Sequence, residues 1–372
     1  MKRSSRNIIG QTPSARYGLI RKHKWQPGAA IRLLIITVLL GAWMESSQAA
    51  RVSTTENPGC AIVLTGTIEQ GDFARLRDAA RDRGLLKPAD TGEPSNPQDQ
   101  AVCLDSPGGS YVEGRLIAGL IHEFGITTRV PSQAECLSAC AFIFMAGRAH
   151  GAETDGPSRF LNVRAKLGFH APYLALQDDD VLSGRDTMAI LELHNKIIGE
   201  FIQFGSYASD FDARPMFSLS LLGETLSAGP AELAGVNTIE AAARWGIFLE
   251  GVAAGRPIDH KAAAQICVNF QAWMVDKRSD SSSMDYYNSQ PITLEYAELW
   301  GEEVELARID TGGMEERYCL VRLSTQPTSG TAICSRDDFN GLNFGDCRAG
   351  VAHWVPWYYS LPPETPISAI AE

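Results

Sequence analysis

Hydrophobic and polar positions along this chain switch repeatedly between two periods. Ala61-Ile62-Val63-Leu64 is a short unbroken apolar run closed by Thr65-Gly66, the pattern of a buried strand. Residues 72–83 change to helical spacing, with Phe73, Leu76 and Ala80 on one face. Val102-Cys103-Leu104 predicts a second strand. Residues 111–124 predict a helix with Val112, Leu116, Leu120 and Ile121 along one side, and residues 126–130 a third strand. Residues 137–145 are apolar throughout and read as a buried helix or a strand-like segment. A further strand is expected over 164–170. A helix follows over 186–204, with Ile190, Leu193, Ile197, Ile198 and Phe201 turned inward. Residues 51–59 read as a loose lead-in, and 88–99 (PADTGEPSNPQD) as a loop.

Strands alternating with helices predict the α/β class, with a largely parallel sheet layered by helices. The pattern persists to about Gly235, and a boundary is expected at 251–256. Beyond it the chain turns aromatic and β-rich, with short strands at 321–323 and 331–334 and an aromatic cluster, Trp354-Val355-Pro356-Trp357-Tyr358-Tyr359. Ser279-Asp280-Ser281-Ser282-Ser283 resembles a linker. Residues 256–372 are therefore expected to form a small disulfide-stapled β-rich module of unassigned role behind a domain at 51–250. The length of 372 residues suits two folded units. No repeat of 20–50 residues is present.

The first 50 residues change the picture. They carry eight Lys/Arg, then an uncharged apolar run at 33–44, then Ser47-Gln48-Ala49-Ala50. A positive start, a short apolar core and a small-residue exit describe a secretory signal. The run is short for a membrane span, which needs about 20 residues; an uncleaved membrane anchor at 33–44 is the alternative. Both imply export, to the periplasm or to the periplasmic face of an inner membrane. Without these residues the chain keeps 25 Lys/Arg against 43 Asp/Glu, a net of −18. Such a surface repels phosphates and excludes nucleic acid as a partner.

Export permits disulfides among the eight cysteines. Cys60 and Cys103, each near the start of a strand, are candidate neighbours. Cys136 and Cys140, four apart, read first as small buried hydrophobes. Cys267, Cys319, Cys334 and Cys347 can make two bridges whose connectivity stays open. No CxxC pair occurs, which argues against a zinc ribbon, and no cofactor is called for.

Candidate chemistry gathers in three places. Ser106-Pro107-Gly108-Gly109 follows a strand and precedes a helix, so its glycine amides can approach a ligand oxygen beside a positive helix end. Ser138 lies among small residues, Cys136-Leu137-Ser138-Ala139-Cys140, and the N–H of Ala139 follows it. Taken singly it reads as an N-cap, and the absence of GxSxG argues against a nucleophile elbow. His170, in Leu167-Gly168-Phe169-His170-Ala171-Pro172, ends a strand and points out of the sheet. A serine nucleophile needs such a base.

In order and wording these three segments resemble the proteolytic subunit of Clp-type serine proteases, where the equivalents are I-N-S-P-G-G, A-S-M-G-A and M-I-H-Q-P. The resemblance covers about residues 60–240. It implies Ser138 as nucleophile, His170 as general base, Gly109 and Ala139 as oxyanion donors, and the repeated ββα spiral shared with crotonases. The family's acid position falls on Gly223. Glu224 is one residue away, Asp210 and Asp212 lie upstream, and Glu224 is taken as the acid with Asp212 as the alternative.

The family works as cytosolic rings fed by an unfoldase. An exported chain with an extra C-terminal module departs from that, so peptides or unfolded protein segments are the expected substrates, and the chain is open to oligomerisation. Three other readings compete. One is a catalytically inactive scaffold that binds a partner. Another is a crotonase-type acyl-thioester enzyme, set back by the scarcity of coenzyme A outside the cytosol. The third is a serine–lysine dyad through Lys166, which shares a strand face with His170.

Overall fold

The computed structural model describes residues 50–56, 59–86, 101–150, 155–171, 182–206, 216–229, 232–279, 285, 289, 293–299, 301–310, 318–335 and 352–372. The leader with its apolar run at 33–44, the loop at 88–99, Asp210, Asp212 and Cys347 lie outside them. Among the described residues no helix is long and apolar enough to cross a membrane.

The chain enters through β1 (Arg51–Thr54), antiparallel to β2 (Ile62–Thr65). The segment expected as a loose lead-in is thus an edge strand. Four residues were too few for alternation to register, and pairing with β2 supplies what propensity does not. Helix α1 (Asp72–Asp82) buries Leu76 and Ala80, one turn apart, and leads to β3 (Val102–Asp105). Helix α2 (Tyr111–Glu123) leads to β4 (Thr128–Val130). Strand β5 (Glu135–Leu137) turns sharply into α3 (Ala139–Met145), every residue of which is buried. Residues 137–145 are therefore the end of a strand followed by a helix.

Next come β6 (Arg148–His150) and β7 (Asp155–Pro157), an antiparallel pair, then β8 (Arg159–Asn162) and β9 (Lys166–Phe169). Helices α4 (Gly184–Gly205) and α5 (Leu219–Ser227), the two-residue β10 (Ala234–Gly235), α6 (Ile239–Arg244) and β11 (Phe248–Glu250) complete this part.

The first sheet has the order β1-β2-β3-β4-β8-β11, parallel from β2 onward. Ile62, Leu64, Val102, Cys103 and Leu104 are fully buried, as parallel strands covered on both faces require. A small sheet, β10-β9-β5, adjoins it through a bridge from Ser106, just beyond β3, to Cys136 in β5. The class is mixed α/β with several sheets.

Two helix faces differ from expectation. In α2 the buried side runs through Gly114, Ile117, Ala118 and Ile121, while Val112 is exposed. The small residues win because α2 packs closely on α3: a Cβ on Gly114 would lie 3.2 Å from the Ala139 Cβ. In α4, Leu193 is exposed rather than inward. The helix meets the core at its far end, where Phe201 packs on Tyr111, Phe142 and Phe217.

Residues 48–372 form one compact unit. Past the expected boundary, β12 (Arg256–Ile258) is followed by α7 (His260–Met274). This helix was not anticipated in a β-rich module. Asp259 caps it by accepting from the Ala262 N–H, and Ala263, Ile266, Cys267, Phe270 and Trp273 bury along one stripe in the same core as the first sheet. The expected β character follows in β13 (Thr293–Leu299), β14 (Glu302–Asp310), β15 (Tyr318–Arg322), β16 (Ser324–Thr328), β17 (Gly330–Ser335) and β18 (His353–Pro356). Five of these make an antiparallel sheet, β13-β14-β15-β17-β18, while β16 pairs with β12.

Disulfides join Cys60 to Cys103, Cys136 to Cys140, and Cys267 of α7 to Cys319 of β15. Cys334 is disulfide-bonded as well. Cys136 and Cys140 are buried, as expected, but they are bonded to each other rather than acting as free apolar side chains. The turn at Ser138 brings their Cα atoms to 5.1 Å, within bridging range.

Candidate active site

Three chain segments converge on Ser138. The first is its own turn. Ser138 links β5 to α3 with φ 56° and ψ −121°, a backbone that an L-residue with a side chain rarely adopts. The absence of GxSxG argued against an elbow, yet a strand–serine–helix elbow is what forms. The room that glycines beside the serine normally provide comes from a distant segment, Gly108-Gly109.

That segment is the second. Gly108 has φ +99°, and a Cβ there would stand 2.6 Å from the Leu137 carbonyl oxygen and 2.8 Å from the Ser138 Cβ. Gly109 has φ +138°, and a Cβ there would lie 2.2 Å from the Ile68 carbonyl oxygen. Neither position admits a side chain. The Ser106 hydroxyl, fully buried, accepts from the Gly108 N–H at 3.1 Å. Gly108 is thereby used to shape the turn. Among the described residues, the N–H groups of Gly109 and Ala139 meet no acceptor. Gly109 also immediately precedes Ser110, the N-cap of α2, so its amide lies at the positive end of that helix.

The third segment is β9. It pairs in parallel with β5, Leu137 opposite Gly168, and the Ser138 N–H donates to the Gly168 carbonyl at 3.0 Å. The register carries Ser138 alongside Phe169 and leaves His170 one residue further along, so serine and histidine leave the same end of two neighbouring strands. Both are half-buried. The His170 Nδ1 lies 2.8 Å from the Ala171 carbonyl oxygen. A carbonyl only accepts, so in this contact the Nδ1 N–H is the donor. Among the described residues, no hydrogen bond joins Ser138 Oγ to the ring.

Glu224, on α5, is half-buried and pairs with Arg278 at 3.7 Å. Asp212 lies outside the described residues. Lys166 sits opposite Glu135, at the far end of β9 from His170, which leaves a serine–lysine dyad without geometric support. Tyr111, beside the glycines, donates to Glu200 at 3.4 Å. Burial and then the Glu200 charge push its phenol well above the ordinary range, so it stays protonated. Among the described residues, no group of three or more His, Cys, Asp or Glu side chains could hold a metal ion.

Sequence reasoning missed three contributors. The Ser106 hydroxyl lay inside the glycine motif but had no signal of its own. The Ala171 carbonyl is backbone and invisible to residue type. The Cys136–Cys140 bridge was signalled by its spacing of four, which packing alone also explained.

No family model matches the chain, and no curated protein matches its sequence. Among solved structures it is similar to a point mutant of ClpP1 from Listeria monocytogenes. The TM-score is 0.30 and the identity 12%, over 50% of this chain and 88% of that one. A likeness that slight carries no argument about activity.

Proposed function

We propose that this chain is an exported serine peptidase-like hydrolase. Ser138 attacks the acyl carbon as its proton passes to Nε2 of His170. The developing oxyanion is received by the Gly109 and Ala139 N–H groups. The imidazolium returns the proton to the leaving amine, and water then releases the acyl group by the same path. The Ala171 carbonyl holds the ring in the required tautomer, the task an acid performs in a triad. Glu224 and Asp212 remain the carboxylates assigned to that task by resemblance. The fold we assign is the ββα spiral, with β10-β9-β5 as the layer adjoining the main sheet.

The reading rests on one observation above all. Ser138 occupies a strand-to-helix elbow whose close neighbour is a double glycine with an unclaimed amide. Exposed Val112, in the first turn of α2, and exposed Leu233, packed near Gly168, provide apolar surface by the site. That favours extended peptides or unfolded segments as substrates. The disulfides favour an oxidising compartment and hence export.

A fluorophosphonate probe tests the assignment. The full-length chain should label, and Ser138→Ala should not; labelling that survives in the alanine variant refutes it. A second reading, an inactive scaffold that binds a partner, draws on Glu224 facing Arg278. It prevails if the wild-type chain never labels and cleaves no peptide while retaining a bound protein.

A further inference from the structure

We infer that the Cys136–Cys140 disulfide is a positioning device for Ser138, so that the nucleophile is competent only while this bridge is closed. The inference rests on the reading of Ser138 as nucleophile and adds two residues to it.

The bridge spans the elbow symmetrically. Cys136 lies two residues before Ser138 in β5, and Cys140 two residues after it in the first turn of α3. The covalent ring therefore fixes the angle at which the strand gives way to the helix, and Ser138 is its midpoint. At that midpoint the backbone is in a conformation costly for serine, and its chain neighbours Leu137 and Ala139 offer no glycine to ease it. Such a conformation persists only where its surroundings over-determine it. Backbone bonds from Leu137 N–H to Ser106, from Ser138 N–H to Gly168 and from Phe142 N–H to Ser138 do part of this. Among the described residues, the disulfide is the one covalent link that closes across the turn.

The two other bridges between described residues differ in kind. Cys60–Cys103 and Cys267–Cys319 close sequence separations of 43 and 52 residues, whereas Cys136–Cys140 closes four. Stabilisation through the unfolded chain grows with the length of the closed loop, so the short bridge contributes least of the three to global stability. What it constrains is local geometry.

Opening the bridge is a two-electron reduction. A dithiol such as dithiothreitol breaks the S–S bond, each sulfur gains one electron and one proton, and the dithiol closes to its own cyclic disulfide. Freed of the ring, Leu137-Ser138-Ala139 can relax toward ordinary φ. The hydroxyl then loses the placement that the elbow gives it.

The test compares two variants of the full-length chain, Cys136→Ala/Cys140→Ala and Cys60→Ala/Cys103→Ala, by far-UV circular dichroism, thermal melting and the rate of fluorophosphonate labelling. The first should keep its fold, lose less in melting midpoint than the second, and lose about 10²-fold in labelling rate, the loss lying in the covalent step rather than in probe affinity. The second should melt earlier and, while folded, label at the wild-type rate. In the wild-type chain, loss of labelling under dithiothreitol should track alkylation of Cys136 and Cys140 in peptide maps, and reoxidation should restore it. Wild-type labelling in the folded Cys136/Cys140 variant overturns the inference and leaves Ser138 as nucleophile. So does complete unfolding of that variant, which would make the bridge a general staple. A wild-type chain that does not label removes the underlying reading instead, and the inference with it.

Discussion

The amide of Ser138 donates to the carbonyl of Gly168 across 3.0 Å, and this bond ties the turn that carries the hydroxyl to the strand that carries the imidazole. His170 follows Gly168 by two residues, so the two side chains are placed by sheet register rather than by side-chain packing. Register in a short parallel pair is exacting, since a one-residue slip turns every side chain to the other face. The site therefore depends on whatever keeps β5 and β9 aligned.

Gly108→Ala should disturb the elbow directly. Its Cβ would stand 2.6 Å from the Leu137 carbonyl oxygen and 2.8 Å from the Ser138 Cβ, at φ +99°. The strain should cost about 1–3 kcal/mol of stability, and displacement of the elbow about 10²-fold in labelling rate. Gly119→Ala is the control, because a Cβ there meets no atom within 4 Å. Equal labelling of the two variants would show that Gly108 does not shape the turn.

Glu224→Gln should leave labelling within about threefold of wild type, because the carboxylate faces Arg278. An acid that orients the imidazole would cost about 10⁴-fold on removal. The rate ratio thus separates the two roles, and a loss of three or more decades would restore Glu224 to the triad.

The first strands and the first helix of the main sheet were legible because each is apolar at a single period: Ile62 to Leu64, Val102 to Leu104, and the stripe of α1. The eight cysteines pointed to bridges, and Cys60 with Cys103 is one. The elbow was not legible. Its signature is normally two glycines beside the serine, and here Gly108 and Gly109 lie about thirty residues earlier in the chain and arrive by tertiary packing. The inward face of α2 was misjudged for a related reason. Apolar Val112 outranks Gly114 on any hydropathy scale, but close approach of two helices favours the residue without a side chain. Helix α7 was hidden by the β-rich composition around it.

Arg159 should be a stability residue despite its charge. It is 1% exposed and donates to the carbonyls of Met145, Met216, Trp245 and Gly246, gathering the ends of α3 and α6 onto β8. Arg159→Leu fills the volume but strands those acceptors, each worth roughly 1–3 kcal/mol when buried without a donor. Urea unfolding should show a loss of at least about 3 kcal/mol. A loss below about 1 kcal/mol would mean the carbonyls find water or other donors.

Glu250 should make stability fall as pH rises. It ends β11 and reaches Arg129 of β4 at 3.0 Å, across β8, where Phe160 lies under the guanidinium. Burial pushes its carboxyl above the ordinary range, and the Arg129 charge opposes this without cancelling it. A carboxyl raised in the folded state binds its proton more tightly there than in the unfolded chain. Its favourable contribution is complete below the unfolded value, about 4.3 for glutamate, and is lost as pH climbs through the raised value. Glu250→Gln keeps the shape and removes the titration. The melting midpoint of the variant minus that of the wild type should therefore grow more positive from about pH 4 upward and level off above the raised value. A difference that declines over the same range would mean that attraction to Arg129 outweighs burial, and that the strand end is held by the ion pair.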